Sequence, residues 1–411
     1  MVISLSIFRP TKVQQKALEL LKGSAKHILL FGGSRSGKTT VLVMAIIYRA
    51  CKYNGSRHLI CRYRAKDARS SVLHETLVPW LKKTVGEKNF KLNVHDGFIQ
   101  LWNGSEIWIG GLGDKEQVDK ILGHEYNTIY FNEVSQITYS AITTAYSRLA
   151  MHIEGCKNRF FYDCNPASPM HWAYKVFIRK LEPRTDEALE RPTLYDSMVL
   201  NPADNVENLA EDYIDDILDN LPEKQKARFK DGLWVKAEGV VYEKFEESMI
   251  LSDETMPSEF EYYTAGQDFG LNIAGVKIGW KKNLTGLYCV YIIADNGGFN
   301  ITTQTFVEQL TSNKWYEEVF VTYCDPAGGE RIQEIPGGVK ANNSVDAGID
   351  YISALIERKR FFVSKSATGV LGEIWDYSRD ENNQIVKVND HYMDAMRYGI
   401  FSAVTQGIVL N

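Results

Sequence analysis

The stretch HILLFGGSRSGKTTVLVMAIIYRACKY, residues 27–53, decides how the first half of this chain folds. Its opening, His27–Phe31, is an apolar run of strand length, and the residues from about Lys38 to Tyr53 read as a helix. Between them stands Gly32-Gly33-Ser34-Arg35-Ser36-Gly37-Lys38-Thr39, which matches G-x-x-x-x-G-K-[ST] at the strand-to-helix junction where that motif works. Glycines let the backbone wrap phosphate groups, and a helix N-terminus presents unpaired N–H groups and a positive dipole end. Lys38 is placed to reach the β- and γ-phosphates, and Thr39 to hold Mg²⁺ through its hydroxyl. ATP with Mg²⁺ is therefore the expected ligand of Gly32, Gly33, Ser34, Arg35, Ser36, Gly37, Lys38, Thr39 and Thr40.

Outward from this motif, strands and helices alternate. RHLICRY (57–63), FIQLW, EIWIG, Asn127–Phe131 and Arg159–Tyr162 read as strands, and Ala65–Leu81 and Tyr139–Met151 as helices. Such alternation predicts a mostly parallel sheet covered on both faces. Residues 206–229 turn helical and acidic, broken at Pro222, and predict a small helical subdomain. GLWVKAEG (232–239) is the expected crossover. Beyond it, YYTAGQDFG, AGVKIGW and GLYCVYIIAD read as three strands, with turn signals at Asn272 and Lys281–Thr285. A helix over Thr303–Ser312 and the strand EVFVTYCD follow. Helices over Ser344–Arg358 and His391–Val404, with the strand Phe361–Val363 between them, complete a mixed sheet.

A chain of 411 residues is too long for one ordinary core. Its 44% apolar and 24% charged residues exclude disorder, collagen and coiled coil as whole-chain readings. The net charge of −5 gives no footprint of a protein that coats nucleic acid, so any DNA contact must come from local cations. Lys365 and Arg379 are the candidates. The six cysteines are scattered without a C-x-x-C pair, which predicts reduced, buried thiols and no zinc site. MVISLSIFRPTK lacks the features of a signal peptide, and the longest apolar run, Val41–Ile47, is far below the roughly 18 residues of a membrane span. A soluble intracellular protein is expected.

Two sets of residues carry candidate chemistry. In the first half, the apolar strand Thr128–Phe131 runs into Asn132-Glu133, where Glu133 would orient and deprotonate an attacking water. Asn132 can hydrogen-bond a magnesium-bound water but lacks the charge of the usual Asp. Phe8-Arg9-Pro10-Thr11-Lys12-Val13-Gln14 is similar to the glutamine motif of helicase-like ATPases and makes Gln14 an expected adenine contact. Asn165-Pro166 follows the strand Arg159–Tyr162, where a polar side chain can sense a γ-phosphate. In the second half, Asp268 and Asp325 end predicted strands, and Asp394 lies on a helix three residues after His391. Such carboxylates can converge on two divalent ions about 4 Å apart for phosphodiester hydrolysis. Asp268-Phe269-Gly270 is no kinase signature, because no H-R-D loop precedes it.

Taken in order, these motifs resemble the large terminase subunit of tailed bacteriophages, the motor that packages DNA. The resemblance spans the glutamine motif, the GGSRSGKT loop, Glu133, Asn165-Pro166, the WVKAEGVVYEKF junction, and DFG, YCDPAGGER and HYMDAMRYG in that order. It implies an α/β chain of two domains, a P-loop ATPase and an RNase H-like nuclease. The expected division is an ATPase core over 1–200, a helical lid over 201–234, a linker over 235–255 and a nuclease over 256–411.

The resemblance also implies roles. Lys38 and Thr39 hold phosphates and Mg²⁺, Arg35 contacts the γ-phosphate, Glu133 activates water, and Asn165 couples hydrolysis to movement. Asp268, Asp325 and Asp394 ligate two nuclease ions, Mg²⁺ or Mn²⁺, with His391 as a ligand or behind them. A ring motor needs an arginine acting on the neighbouring subunit; Arg148 and, less well, Lys120 are the candidates. Implied partners are double-stranded DNA, the portal of the prohead, the small terminase subunit and further copies of the chain in a ring, in the host cytoplasm. A cellular helicase–nuclease and a nucleotide-switched scaffold are the alternatives.

Overall fold

The computed structural model describes residues 7–113, 115–235, 239–380, 384–387 and 390–407. It divides into two compact units, Met1–Glu182 with Glu187–Val235, and Lys236–Asn411 with Pro183–Asp186.

The first unit is built on an eight-stranded sheet in the order β3-β4-β5-β2-β6-β7-β1-β8. The strands are β1 (His27–Phe31), β2 (Arg57–Arg62), β3 (Phe90–Asn93), β4 (Phe98–Leu101), β5 (Glu106–Gly111), β6 (Thr128–Phe131), β7 (Arg159–Cys164) and β8 (Tyr195–Val199). From β5 to β8 every pair is parallel, while β3–β4 and β4–β5 are antiparallel. The central strands β6 and β7 are buried throughout, as expected of parallel strands covered on both faces. Two strands escape the sequence pattern. FKLN and YDSMV are polar and half-exposed edges, without an apolar run to mark them.

Helix boundaries also differ from expectation. The helix after Glu133 covers only Tyr139–Tyr146, because the chain leaves it to give the Arg148 carbonyl to the Tyr126 N–H at 2.7 Å. A helix at Lys115–Leu122 was not expected. The region read as a helical subdomain consists of three short segments, Pro202–Asn208, Tyr213–Leu218 and Glu223–Phe229.

In the second unit the seven-stranded sheet runs β14-β13-β10-β11-β12-β15-β9. The strands are β9 (Ile250–Leu251), β10 (Tyr262–Asp268), β11 (Asn272–Lys282), β12 (Tyr288–Phe299), β13 (Val321–Cys324), β14 (Gly338–Lys340) and β15 (Phe361–Ser364). Strands β10, β11 and β12 form an antiparallel meander, and β13 and β14 add in parallel on the far side of β10. This is the RNase H-like arrangement. Asn272 opens β11, so the turn lies at 269–271. Residues 239–255 of the stretch expected as a linker over 235–255 belong to this unit, and 236–238 lie outside the described residues. Ile250 and Leu251 pair with β15, and Phe245 packs against Phe361 and Trp375 at ring distances of 6.0 and 4.9 Å.

The helix His391–Thr405 lies on β10 at a distance only glycine permits. A Cβ on Gly266 would stand 1.8 Å from the Ala395 carbonyl oxygen, and one on Gly399 2.8 Å from the Gly266 nitrogen. Beneath it, buried Trp280 donates its indole N–H to Thr264 Oγ1 at 2.9 Å. This close seating fixes where Asp394 and His391 stand relative to the end of β10.

Candidate functional site

The phosphate loop leaves the end of β1 and enters the helix Lys38–Lys52 through Gly37, whose φ of 85° lies in the left-handed region. It borders a cavity of about 720 Å³ that also reaches Arg62, Asn132, Glu133, Asn165 and Asn205. Lys38 is buried, and its ammonium is bonded within the protein. Nζ donates to the carbonyls of Gly32 (3.0 Å) and Gly33 (2.6 Å), to Ser36 Oγ (3.1 Å) and to Asn165 Oδ1 (3.2 Å). Burial pulls its pKa down, and the nearby Asp163 and Glu133 carboxylates oppose that.

Asp163, near the end of β7, organises the floor of the site. Its Oδ2 accepts from Thr39 Oγ1 at 2.9 Å and from the Tyr130 hydroxyl at 2.8 Å. Asn132 Nδ2 donates to Oδ1 at 2.9 Å and to Oδ2 at 3.2 Å, and the Glu133 N–H donates to Oδ1 at 2.9 Å. Glu133 itself adopts a left-handed conformation, φ 54° and ψ 57°. Burial, reinforced by the Asp163 charge, raises the pKa of its carboxyl. A hydroxyl and carboxylates beside a phosphate cradle suit Mg²⁺, which takes one or two carboxylates together with substrate phosphates.

Gln14 is buried at the rim of the loop with both ends of its amide engaged. Oε1 accepts from the Thr11 N–H at 3.1 Å, closing the capping box of the helix Lys12–Lys22, and Nε2 donates to Asn205 Oδ1 at 2.9 Å. Phe8 packs edge-on against Trp80. Asn205 donates in turn to the Arg35 carbonyl at 2.8 Å, tying Gln14, the loop and the segment Pro202–Asn208 together. The Arg35 side chain is exposed, with φ 58°. Arg148 lies beyond the helix after Glu133, and its Nη1 donates to the Leu122 carbonyl at 3.0 Å. Lys120 stands over the Trp108 ring.

The acidic residues of the second unit gather between the end of β10 and the helix His391–Thr405. Asp268 Oδ2 pairs with His391 Nδ1 at 3.0 Å, and Asn272 Nδ2 stands 3.2 Å from His391 Nε2. Burial pushes the Asp268 carboxyl up to about 6; His391 works against this, and Asp394 and Asp325 add to it. Burial alone would depress the His391 imidazole, but the Asp268 hydrogen bond and the Glu373 charge outweigh it and raise the pKa to about 9. Asp394 is held by cations, Arg397 Nη2 at 2.8 Å from Oδ1 and Lys387 Nζ at 3.1 Å from Oδ2. Asp325 Oδ1 accepts from the Ala327 N–H at 2.9 Å and lies 3.5 Å from the Tyr398 hydroxyl.

Among the described residues, no three His, Cys, Asp or Glu side chains are disposed to hold a metal ion. Lys387 and Arg397 take the Asp394 oxygens that such an ion would need. The carboxylates are neighbours, but they do not form a ready two-ion site. Lys365 is exposed, and Arg379 pairs with Asp346 at 2.6 Å.

A family model described as phage terminase large subunit matches residues 24–231, half of the chain. The chain belongs to the phage terminase large subunit family. It is 24% identical over 242 residues to the large terminase subunit of Enterobacteria phage LP7, covering 53% of this chain and 49% of that protein. To the large terminase subunit of Salmonella phage P22 it is 25% identical over 235 residues, 51% and 45% of the two chains. The chain thus spans about half the length of the curated relatives it matches. The crystal structure of the HK97 bacteriophage large terminase shares its fold, with a TM-score of 0.50 at 11% identity over 95% of each chain.

In this terminase chain, the structure gathers Lys38, Thr39, Asn132, Glu133 and Asn165 around one cavity. Three further residues of the site had no motif to announce them. Asp163 is a charge at the end of the otherwise uncharged stretch FFYDC, which was a legible signal. Arg62 closes β2; its Nη1 donates to Ser71 Oγ at 3.0 Å, while its buried Nε has no partner among the described residues. Asn205 lies in a short, weakly patterned segment.

Proposed function

We propose that the first unit of this terminase chain hydrolyses ATP to drive double-stranded DNA through the portal into a prohead, and that the second unit cuts that DNA. The observation that carries the first half is the shared cavity. A buried lysine, a Thr39–Asp163 hydrogen bond and the Glu133 carboxylate face the turn whose backbone cradles phosphates. Thr39, Asp163, Asn132 and Glu133 would hold Mg²⁺, which supplies charge neutralisation at the phosphate oxygens. Lys38 exchanges its loop carbonyls for phosphate oxygens. Glu133, its pKa raised by burial, takes a proton from the attacking water and is better matched to neutral pH than an exposed glutamate. Asn165, released by Lys38, is placed to report the loss of the γ-phosphate to the chain beyond β7.

Support for the cutting half is the RNase H-like sheet and the neighbouring carboxylates Asp268, Asp325 and Asp394 at its centre. The proposed partners are DNA, the portal, the small terminase subunit and further copies in a ring, acting in the host cytoplasm.

One experiment tests both halves. The purified chain is assayed for DNA-stimulated phosphate release and for plasmid cleavage with Mg²⁺ or Mn²⁺. Lys38→Ala should abolish the first, and Asp394→Asn the second while sparing ATP turnover. Cleavage unaffected by Asp394→Asn would refute the nuclease assignment.

A further inference from the structure

We propose that Asp163 supplies the negative charge that retains Mg²⁺ at the nucleotide site, replacing from the neighbouring strand the carboxylate that Asn132 lacks. The inference rests on the ATP-binding reading above and deepens it. Three observations carry it.

The first is position. Strands β6 and β7 pair with Phe131 beside Tyr162, so the next residues, Asn132 and Asp163, stand side by side at the strand ends. Neighbouring strands lie about 4.8 Å apart, so moving an acid from one to the other displaces its charge little.

The second is the pattern of hydrogen bonds. The loop hydroxyl expected to touch Mg²⁺, Thr39 Oγ1, already donates to Asp163 Oδ2 at 2.9 Å. The Asn132 amide acts here purely as a donor to both Asp163 oxygens, at 2.9 and 3.2 Å. An aspartate at 132 would set two carboxylates against each other at that distance, and like charges so close cannot both remain ionised. The two positions therefore accept one acid between them, and this chain carries it at 163.

The third is charge. Asp163 is 1% exposed, and its donors Thr39, Tyr130, Asn132 and the Glu133 N–H are all neutral. A buried carboxylate whose hydrogen-bond donors are all neutral, and which shares its one cationic neighbour Lys38 with Glu133, has charge left to complement a divalent cation at the edge of a phosphate cradle.

The test uses the full chain and a fluorescent ATP analogue titrated with Mg²⁺ or with EDTA. The wild type should bind the analogue more tightly with Mg²⁺, and Lys38→Ala should lose binding in both conditions. Asp163→Asn should lose the Mg²⁺ enhancement by about 10–100-fold while still binding the analogue in EDTA. The exchange variant Asn132→Asp/Asp163→Asn should regain the enhancement. A merely structural role for Asp163 would not be rescued by moving the charge across the strand pair.

Full Mg²⁺ enhancement in Asp163→Asn, or none in the exchange variant, overturns the inference. If Asp163→Asn does not fold by circular dichroism, the exchange variant alone decides. Failure of the wild type to bind the analogue at all would instead overturn the ATP reading.

Discussion

At the scale of single residues, Glu133 and Gln14 make opposite predictions. Glu133 sits in a left-handed backbone conformation that costs a non-glycine residue about 1–3 kcal/mol and persists only where surroundings impose it. Here the Asp163 bond to its N–H imposes it and turns the carboxylate toward the cavity. Glu133→Gln should lower ATP turnover about 10²–10⁴-fold, as removal of a general base does, and leave nucleotide affinity within a few fold. Phosphate-release and binding assays separate the two quantities. Gln14, by contrast, spends its amide on Thr11 and Asn205. Gln14→Ala should therefore destabilise the first unit by about 1–2 kcal/mol, through a lost cap and a lost buried hydrogen bond. It should not change the preference for ATP over GTP. A variant that hydrolyses GTP as readily as ATP would restore the adenine-contact reading.

At the scale of elements, the most exposed prediction concerns the seat of the C-terminal helix. Gly266→Ala puts a methyl group into the Ala395 carbonyl, with backbone on both sides and no flexible side chain to yield. Overpacking of this kind costs about 1–3 kcal/mol or more, and because Asp394 rides on the same helix, DNA cleavage should fall together with the melting temperature. Normal cleavage at a lowered melting temperature would show that the helix carries no chemistry.

Legibility followed the same division between elements. The parallel core was readable because HILLF, TIYF and RFFYDC are dense apolar runs, and the glycine loop matched a complete motif. Strands β3, β8 and β9 were not, because FKLN, YDSMV and IL are too polar or too short to show a period. Asp163 escaped for another reason. Strand β6 ends in the neutral Asn132, and its pairing with β7, which supplies the carboxylate beside it, exists only in the folded sheet. Lys387 escaped similarly, since nothing in sequence spacing says that a lysine will bridge Asp390 and Asp394.

At the scale of the whole molecule, the buried histidines of the first unit and the buried titratable groups Asp268, Glu373 and His391 of the second respond oppositely to pH. In the first unit, burial depresses His27 to about 3, His171 to about 4 and His58 well below its ordinary value. Each stays neutral when folded, so its contribution is fully present above about pH 6.5 and is lost as pH falls toward those values. The loss is about 1.4 kcal/mol per pH unit for each histidine at most. In the second unit the shifts run upward. Burial raises Asp268 to about 6 and Glu373 to about 8, and His391 reaches about 9. These contributions are present at low pH and are lost as pH rises through those values. Calorimetry of the full chain between pH 5 and 8 should move one transition up and the other down, the first being assigned by its shift with added ATP. A first-unit transition that does not fall below pH 6 would contradict the assignment of neutral buried histidines.

The lysine of the phosphate loop is also a fastening between two segments. Lys38 Nζ bonds to Gly32, Gly33 and Ser36 within the turn and to Asn165 beyond β7, so one ammonium joins the turn to that segment. Any ligand that draws the ammonium away loosens both attachments together, and a change at the turn is then also a change beyond β7.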